Sequence, residues 1–100
     1  MWGMIAKITV HPGKRDEMVE ILRSSAEGMP GCLSYVVSKD SSNENVFWVT
    51  EVWTSVEHHQ ASLSLPGVKA AVPRAKTLVA NFERIAVTEP VWIAGVESSN

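Results

Sequence analysis

The sequence is poor in cysteine and in net charge, and each shortage excludes a class of protein. Cys32 is the single cysteine among 100 residues, so no intramolecular disulfide is available and a reducing cytoplasm is the expected location. A net charge of −2 provides no basic field for nucleic-acid binding. The apolar runs are too short to cross a membrane, and Lys7 interrupts the N-terminal stretch, so no secretory signal is expected.

The motifs that hold common cofactors are also missing. The chain has no Gly-rich phosphate loop, no Ser-His-Asp order and no carboxylate pair that stands out, so neither a nucleotide nor a flavin is expected. The adjacent His58 and His59 are not the i, i+4 pair that a metal ion on one helix face needs. Cys32 has no neighbouring His or Arg in sequence, and we interpret it as a packed side chain rather than a reactive thiol. The sequence predicts no metal site and no bound cofactor.

What is present is the composition of one small globular domain. Apolar residues make up 45% of the chain and charged residues 20%, which is typical of a globular protein. We predict a single domain over residues 1–100, with the core over about 4–96 and a frayed tail at 97–100.

Periodicity and turn residues divide the chain into strands and helices. Strands are predicted at Met4–Val10, Cys32–Lys39, Val46–Trp53 and Phe82–Val96, the last divided by Pro90. Helices are predicted at about Lys14–Glu27, from a cap at Thr54 or Ser55 to about Leu63, and at about Val68–Ala80. Thr54 and Glu57 have the spacing of a capping box. The order is β-α-β-β-α-β, so the predicted fold class is α+β, ferredoxin-like, with an antiparallel sheet.

The third predicted strand is largely apolar on both faces. One face carries Phe47, Val49, Glu51 and Trp53, and the other carries Val46, Trp48, Thr50 and Val52. A half-solvated sheet would alternate more cleanly between apolar and polar residues. We therefore expect helices to cover one face and a partner subunit to cover part of the second, which predicts a homodimer.

The two histidines diverge around the second helix, because adjacent helical residues point about 100° apart. Val56 and Leu63 mark the apolar stripe, so His59 is expected to lie toward it and His58 toward solvent. His59 is then either a pocket residue or an ordinary histidine at the boundary of the core.

Three segments together resemble the antibiotic biosynthesis monooxygenase family, which includes quinol monooxygenase-like proteins. They are "HPGKRDEMVEIL" at residues 11–22, "PGCLSY" at 30–35 and "VTEVWTSVEHHQASL" at 49–63. The resemblance covers about residues 4–93. It implies a dimeric α/β barrel, in which two sheets pack face to face and a pocket lies between sheet and helices. Some members oxygenate polyphenolic or quinol substrates with O2 and without metal, flavin or haem, whereas others degrade haem.

The sequence departs from the family pattern at three positions. Many quinol monooxygenase-like members have a His-Leu pair where this chain has Ser62-Leu63. The haem degraders carry an Asn at the position of Ala6, which disfavours haem degradation. An antibiotic-tailoring member carries an Asn where this chain has Val49.

A cofactor-free oxygenase needs a base, a donor for the developing oxyanion and a dry aromatic wall. The predicted catalytic residues are His59, Trp53 and Arg74, and the predicted substrate-binding residues are Trp53, Tyr35, Phe47, Val49 and Ser62. Of these residues, Trp53 matches a Trp of the family that this chain resembles. The substrate would be a small aromatic molecule. The alternatives are a non-catalytic dimeric ligand-binding module, which the changes at Ser62 and Val49 favour, and, last, a haem-binding protein.

Overall fold

The structure, a computed structural model, describes residues 1–96 of the chain. Within that range the elements are β1 (Trp2–Val10), α1 (Arg15–Ser25), β2 (Cys32–Lys39), β3 (Val46–Trp53), α2 (Val56–Ser62), α3 (Pro66–Leu78) and β4 (Val79–Thr88). The strands form one antiparallel sheet in the order β2-β3-β1-β4. The predicted α+β, ferredoxin-like arrangement is confirmed, and the predicted tail at 97–100 lies outside the described residues.

The last strand differs most from its prediction. β4 spans Val79–Thr88 rather than Phe82–Val96, because it pairs along β1 from Val10 to Gly3 and the length of β1 sets both its ends. Pro90 follows almost directly and has no N–H to continue the ladder. The residues between β4 and position 96 therefore lie outside the sheet.

The helices begin and end within a few residues of their predicted limits. α1 ends at Ser25, before the predicted Glu27, and α3 begins at Pro66, which is tolerated in the first turn of a helix. Ser55 is the N-cap of α2, and its Oγ accepts a hydrogen bond from the backbone N–H of His58 at 3.3 Å. The predicted capping box starting at Thr54 is wrong, because Ser55 occupies the cap position.

The core lies between the sheet and the pair α1 and α3. It consists of Ile8, Val10, Met18, Ile21, Phe47, Val49 and Leu78. Burying one side chain of this kind stabilises the fold by about 1.5–3 kcal/mol. None of the three helices within residues 1–96 has the length and apolar character that crossing a membrane requires.

Trp48 and Trp53 lie on opposite faces of the sheet, as their spacing in β3 predicts. Trp53 is fully buried on the helix side, whereas Trp48 is half-buried on the other side, across from Lys7 of β1. The Trp48 indole donates a hydrogen bond to Asp40 Oδ1 at 2.9 Å. On the same face Val36 is 49% exposed. α1 and α3 pack on the helix side of the sheet. The partner subunit predicted for the opposite face stays a prediction.

Candidate functional site

A cavity of about 330 Å³ lies beside the core, between the sheet and all three helices. Its apolar walls come from residues that include Met4, Leu22, Met29, Trp53, Val68 and Phe82. Its polar and ionisable side chains are those of Ser25, Tyr35, Glu51, His59, Ser62 and Arg84. Small-molecule sites have volumes of about 300–1,000 Å³, with apolar walls and a few convergent polar groups. The cavity is therefore the candidate site.

Glu51 brings a carboxyl group into the cavity wall. The alternation of β3 places Glu51 on the helix side, on the same face as Trp53, and only 7% of its surface is exposed. Its Oε1 accepts a hydrogen bond from the Trp53 indole nitrogen at 3.0 Å. Burial raises the pKa of the Glu51 carboxyl, and the hydrogen bond from Trp53 and the charge of Arg84 oppose that rise.

His59 enters the cavity from α2 and is surrounded by aromatic rings. The centre of its ring lies 4.6 Å from that of Trp2 at an interplanar angle of 30°, and 5.6 Å from that of Trp53 at 71°. Its Nε2 lies 3.8 Å from Oε1 of Glu51. Burial lowers the pKa of His59, and the positive charge of Arg84 lowers it further. The imidazole is therefore favoured in its neutral form, which can accept a proton.

The short helix α2 separates the two adjacent histidines. His59 is buried, whereas His58 is exposed and its Nδ1 lies 2.8 Å from Oγ of the capping Ser55. The His58 ring also covers Gly31, which has a φ of 79° and leaves no room for a Cβ. His58 thus belongs to the cap of α2, and His59 faces the cavity.

Tyr35 and Ser62 complete the polar part of the wall. Tyr35 of β2 pairs with Glu51 across the sheet, and burial raises the pKa of its hydroxyl, which therefore stays protonated and can donate. Tyr35 also lines a neighbouring groove of about 660 Å³ between α1 and β2. Ser62 is buried, and its hydroxyl donates to the backbone oxygen of His59 at 2.6 Å.

Three predicted site residues lie outside the cavity wall. Phe47 and Val49 share the helix side with Trp53 but lie under α1 and α3, where they pack in the core. Arg74 of α3 points to α1, and its guanidinium pairs with the Glu17 carboxylate at 3.0 Å. The structure thus brings together Trp53, His59, Tyr35 and Ser62 and leaves these three apart.

The sequence did not point to Glu51 or Arg84, which line the cavity, or to Trp2, whose ring packs against that of His59. Glu51 had a readable signal, because a carboxylate shared the strand face of buried Phe47 and Trp53. Arg84 had none, because its position depends on how β4 pairs with β1.

Within residues 1–96, neither Cys32 nor a cluster of acidic or imidazole groups adds a further reactive centre. Burial raises the pKa of the Cys32 thiol, which makes it a poor nucleophile at neutral pH. In the part of the chain that the structure describes, no group of three or more His, Cys, Asp or Glu is arranged to hold a metal ion.

Fold and cavity define the class: a small α+β protein with an apolar pocket between an antiparallel sheet and its helices. The family model of antibiotic biosynthesis monooxygenases matches residues 1–74 of this chain. The chain belongs to the antibiotic biosynthesis monooxygenase family.

Solved structures of similar proteins agree with this assignment. A protein from Chloroflexus aurantiacus J-10-fl, described as a candidate antibiotic biosynthesis monooxygenase, is 44% identical, with a TM-score of 0.91 over 96% of this chain and 98% of its own. A protein of the same description from Deinococcus radiodurans is 24% identical, with a TM-score of 0.76 over 98% of this chain and 100% of its own, and shows the fold alone. No curated protein matches the chain significantly.

Proposed function

We propose that this protein is an oxygenase that oxidises an aromatic, hydroxylated small molecule of the polyphenol or quinol type with O2 and without a bound cofactor. Membership of the antibiotic biosynthesis monooxygenase family supports a monooxygenase-like function in general terms. One observation carries the finer proposal: a buried imidazole, favoured as the neutral base, lies against Trp53 and beside Glu51 in the wall of the cavity.

The chemistry begins with a proton transfer. O2 is a triplet and reacts slowly with closed-shell organic molecules, so the substrate must first become electron-rich. His59 accepts the proton of a phenolic or ketonic group, and the neutral Tyr35 hydroxyl donates to the oxyanion that develops. The apolar wall around Trp53 excludes water from the anion.

The remaining steps need no external reductant. The substrate anion gives one electron to O2, and the substrate radical and superoxide combine in a new C–O bond. The resulting peroxide takes up a proton and loses water, which leaves a quinone. One oxygen atom of O2 stays in the product and the other leaves as water, so electrons and atoms balance with O2 as the sole oxidant.

We propose further that the protein works as a cytoplasmic homodimer, joined through the sheet face away from the helices. The half-buried Trp48 and the exposed Val36 on that face support this arrangement. Sedimentation at micromolar concentration should show a dimer, and Val36→Glu should weaken it by placing a charge in the interface. A wild-type monomer would contradict the dimer.

Oxygen uptake with a panel of hydroquinones and anthrones tests the enzyme proposal. Uptake should exceed the autoxidation of each compound, and His59→Gln should lower the enzymatic rate by about 10²–10⁴, the usual contribution of a general base. His58→Gln is the matched control, because the same change at the exposed neighbour leaves the cavity intact. Uptake that never exceeds autoxidation would sink the proposal.

A second candidate is a non-catalytic ligand-binding module of the same fold. It is favoured by Ser62, which stands where relatives carry a histidine and whose hydroxyl is occupied by the backbone oxygen of His59. Tight binding of an aromatic ligand without oxygen uptake would support it. A haem titration separates both candidates from a haem-binding role. Haem binding would shift the Soret band, and we expect no shift.

A further inference from the structure

Arg84 stands apart from the other three arginines of the chain. Within residues 1–96, Arg15 donates to backbone oxygens, Arg23 pairs with a glutamate of its own helix, and Arg74 pairs with Glu17. Arg84 forms no ion pair with any of these described residues. Its strand β4 instead brings it to the wall of the cavity.

The position of Arg84 follows from the sheet register. Arg84 lies across from Ala6 of β1, next to an irregularity in the pairing between Ile5 and Ala6. Phe82 lies two residues earlier on the same strand and also lines the cavity. Both side chains are exposed to solvent, so they form the mouth of the cavity rather than its floor.

Arg84 is also the only arginine or lysine among the described residues that line the cavity. His59 is favoured as the neutral imidazole and Tyr35 as the neutral phenol, because both are desolvated. Oε1 of Glu51 accepts from the Trp53 indole, 3.0 Å away, and the Glu51 carboxyl forms no ion pair with Arg84. A guanidinium at the mouth of this cavity, without an ion-pair partner among residues 1–96, therefore has an open place for an anion.

We infer that the cavity takes an aromatic hydroxy acid, whose carboxylate pairs with Arg84 at the mouth while its ring lies toward Trp53 and its hydroxyl toward His59. The guanidinium fork matches a carboxylate in two parallel hydrogen bonds, which gives direction as well as attraction. The volume of about 330 Å³ suits a ligand with a small fused ring system. The inference deepens the proposed function and depends on it for the reaction, but not for binding.

Anaerobic binding tests the inference without turnover. The probes are a hydroxynaphthoic acid and the naphthol that lacks only its carboxylate, followed by quenching of tryptophan fluorescence. Wild-type protein should bind the acid more tightly than the naphthol. Arg84→Gln should weaken acid binding about tenfold, the scale of one lost charge-assisted contact, and change naphthol binding less than about twofold.

Two further variants keep the test decisive. Arg74→Gln removes an arginine outside the cavity wall and should leave both affinities unchanged. Arg84→Lys keeps the charge without the fork and should recover part of the acid affinity, with a steeper loss as salt rises. Matching melting curves of the three variants would show that each one folds.

The outcomes separate this inference from the proposed function. Equal binding of acid and naphthol by the wild type, or an equal effect of Arg84→Gln on both, would overturn the inference. Acid-selective binding without oxygen uptake would keep the inference and refute the oxygenase. Oxygen uptake with neutral quinols, together with indifference to the carboxylate, would do the reverse.

Discussion

The imidazole Nε2 of His59 lies 3.8 Å from Oε1 of Glu51, the same oxygen that accepts the Trp53 indole hydrogen at 3.0 Å. Burial acts on both members in the direction of neutrality, because it lowers the pKa of His59 and raises that of Glu51. The pair therefore holds its protons differently in the folded and unfolded chain, which makes the stability of the fold dependent on pH.

The His59 contribution should appear on the acid side. Its pKa in the folded protein lies below the ordinary value of 6.5, so the unfolded chain takes up a proton first as the pH falls. The fold is therefore most stable above that value and loses stability as the pH falls through the folded pKa. Melting temperatures measured from about pH 8 to pH 5 should fall more for wild type than for His59→Gln. Parallel curves would contradict the expectation.

The Glu51 contribution should have the opposite sign. Its folded pKa lies above the ordinary value of 4.5, so the unfolded chain ionises first as the pH rises. Stability from this group is therefore complete below that value and is lost as the pH rises through the folded pKa. Glu51→Gln should abolish this loss while its amide oxygen still accepts from Trp53. An equal or steeper loss in the variant would exclude the assignment.

The two indole hydrogen bonds provide a paired test of burial. Trp53→Phe removes the donor to buried Glu51 and should lower the free energy of unfolding by about 1–3 kcal/mol beyond the loss of packing. Trp48→Phe removes the donor to Asp40, whose Oδ2 also accepts the N–H of Ser42, and should cost less because this bond is partly exposed. Urea unfolding measures both, and equal losses would argue against the buried bond.

The contact between Gly31 and His58 predicts an unequal response of two glycines. Gly31 and Gly28 have φ values of 79° and 72°, so an alanine at either costs about 1 kcal/mol from the left-handed backbone. At Gly31 the new Cβ would also overlap the His58 ring, whereas at Gly28 it would meet nothing within 4 Å. Gly31→Ala should therefore melt several degrees below Gly28→Ala, and adding His58→Ala should recover part of the difference. Equal melting temperatures would refute the contact.

Tyr35 lies between the cavity and the groove beside α1. Its ring separates the two spaces and its hydroxyl is a potential donor, and different substitutions test the two properties. Tyr35→Phe keeps the wall but removes the hydroxyl that we propose donates to the oxyanion, and should lower kcat by about 10²–10³ with little change in KM. Tyr35→Ala should join the two spaces and admit larger ring systems. Steady-state oxygen uptake with quinols of increasing size measures both effects. A Phe variant with full kcat would remove Tyr35 from the mechanism.

The sequence predicts Arg74 as a catalytic residue, whereas the structure places it outside the cavity wall. Its pair with Glu17 is largely exposed, with 64% of the arginine side chain accessible, so Arg74→Gln should change the free energy of unfolding by less than about 1 kcal/mol. Oxygen uptake should not change, because the residue is absent from the cavity wall. A large drop in kcat would restore it to the site.

Local pattern was enough for much of the fold. The limits of β2 and β3 were predicted correctly, because alternation with a period of two and the flanking turn residues are carried by the segments themselves. The divergence of Trp48 from Trp53 followed from the same period, and that of His58 from His59 followed from the helical one. The departure at Ser62 was also visible in the sequence alone.

The composition of the site depended on contacts between distant segments. The ends of β4 were set by the length of β1, and that pairing carried Arg84 to the cavity while the turn of α3 carried Arg74 to Glu17. Glu51 belongs to the candidate site because the packing of α2 brings His59 to within 3.8 Å of it, which its own strand pattern does not indicate. Periodicity indicates on which face of its own strand or helix a side chain lies. Which of these faces meet around an open space depends on how the helices pack on the sheet, and that packing defines the cavity.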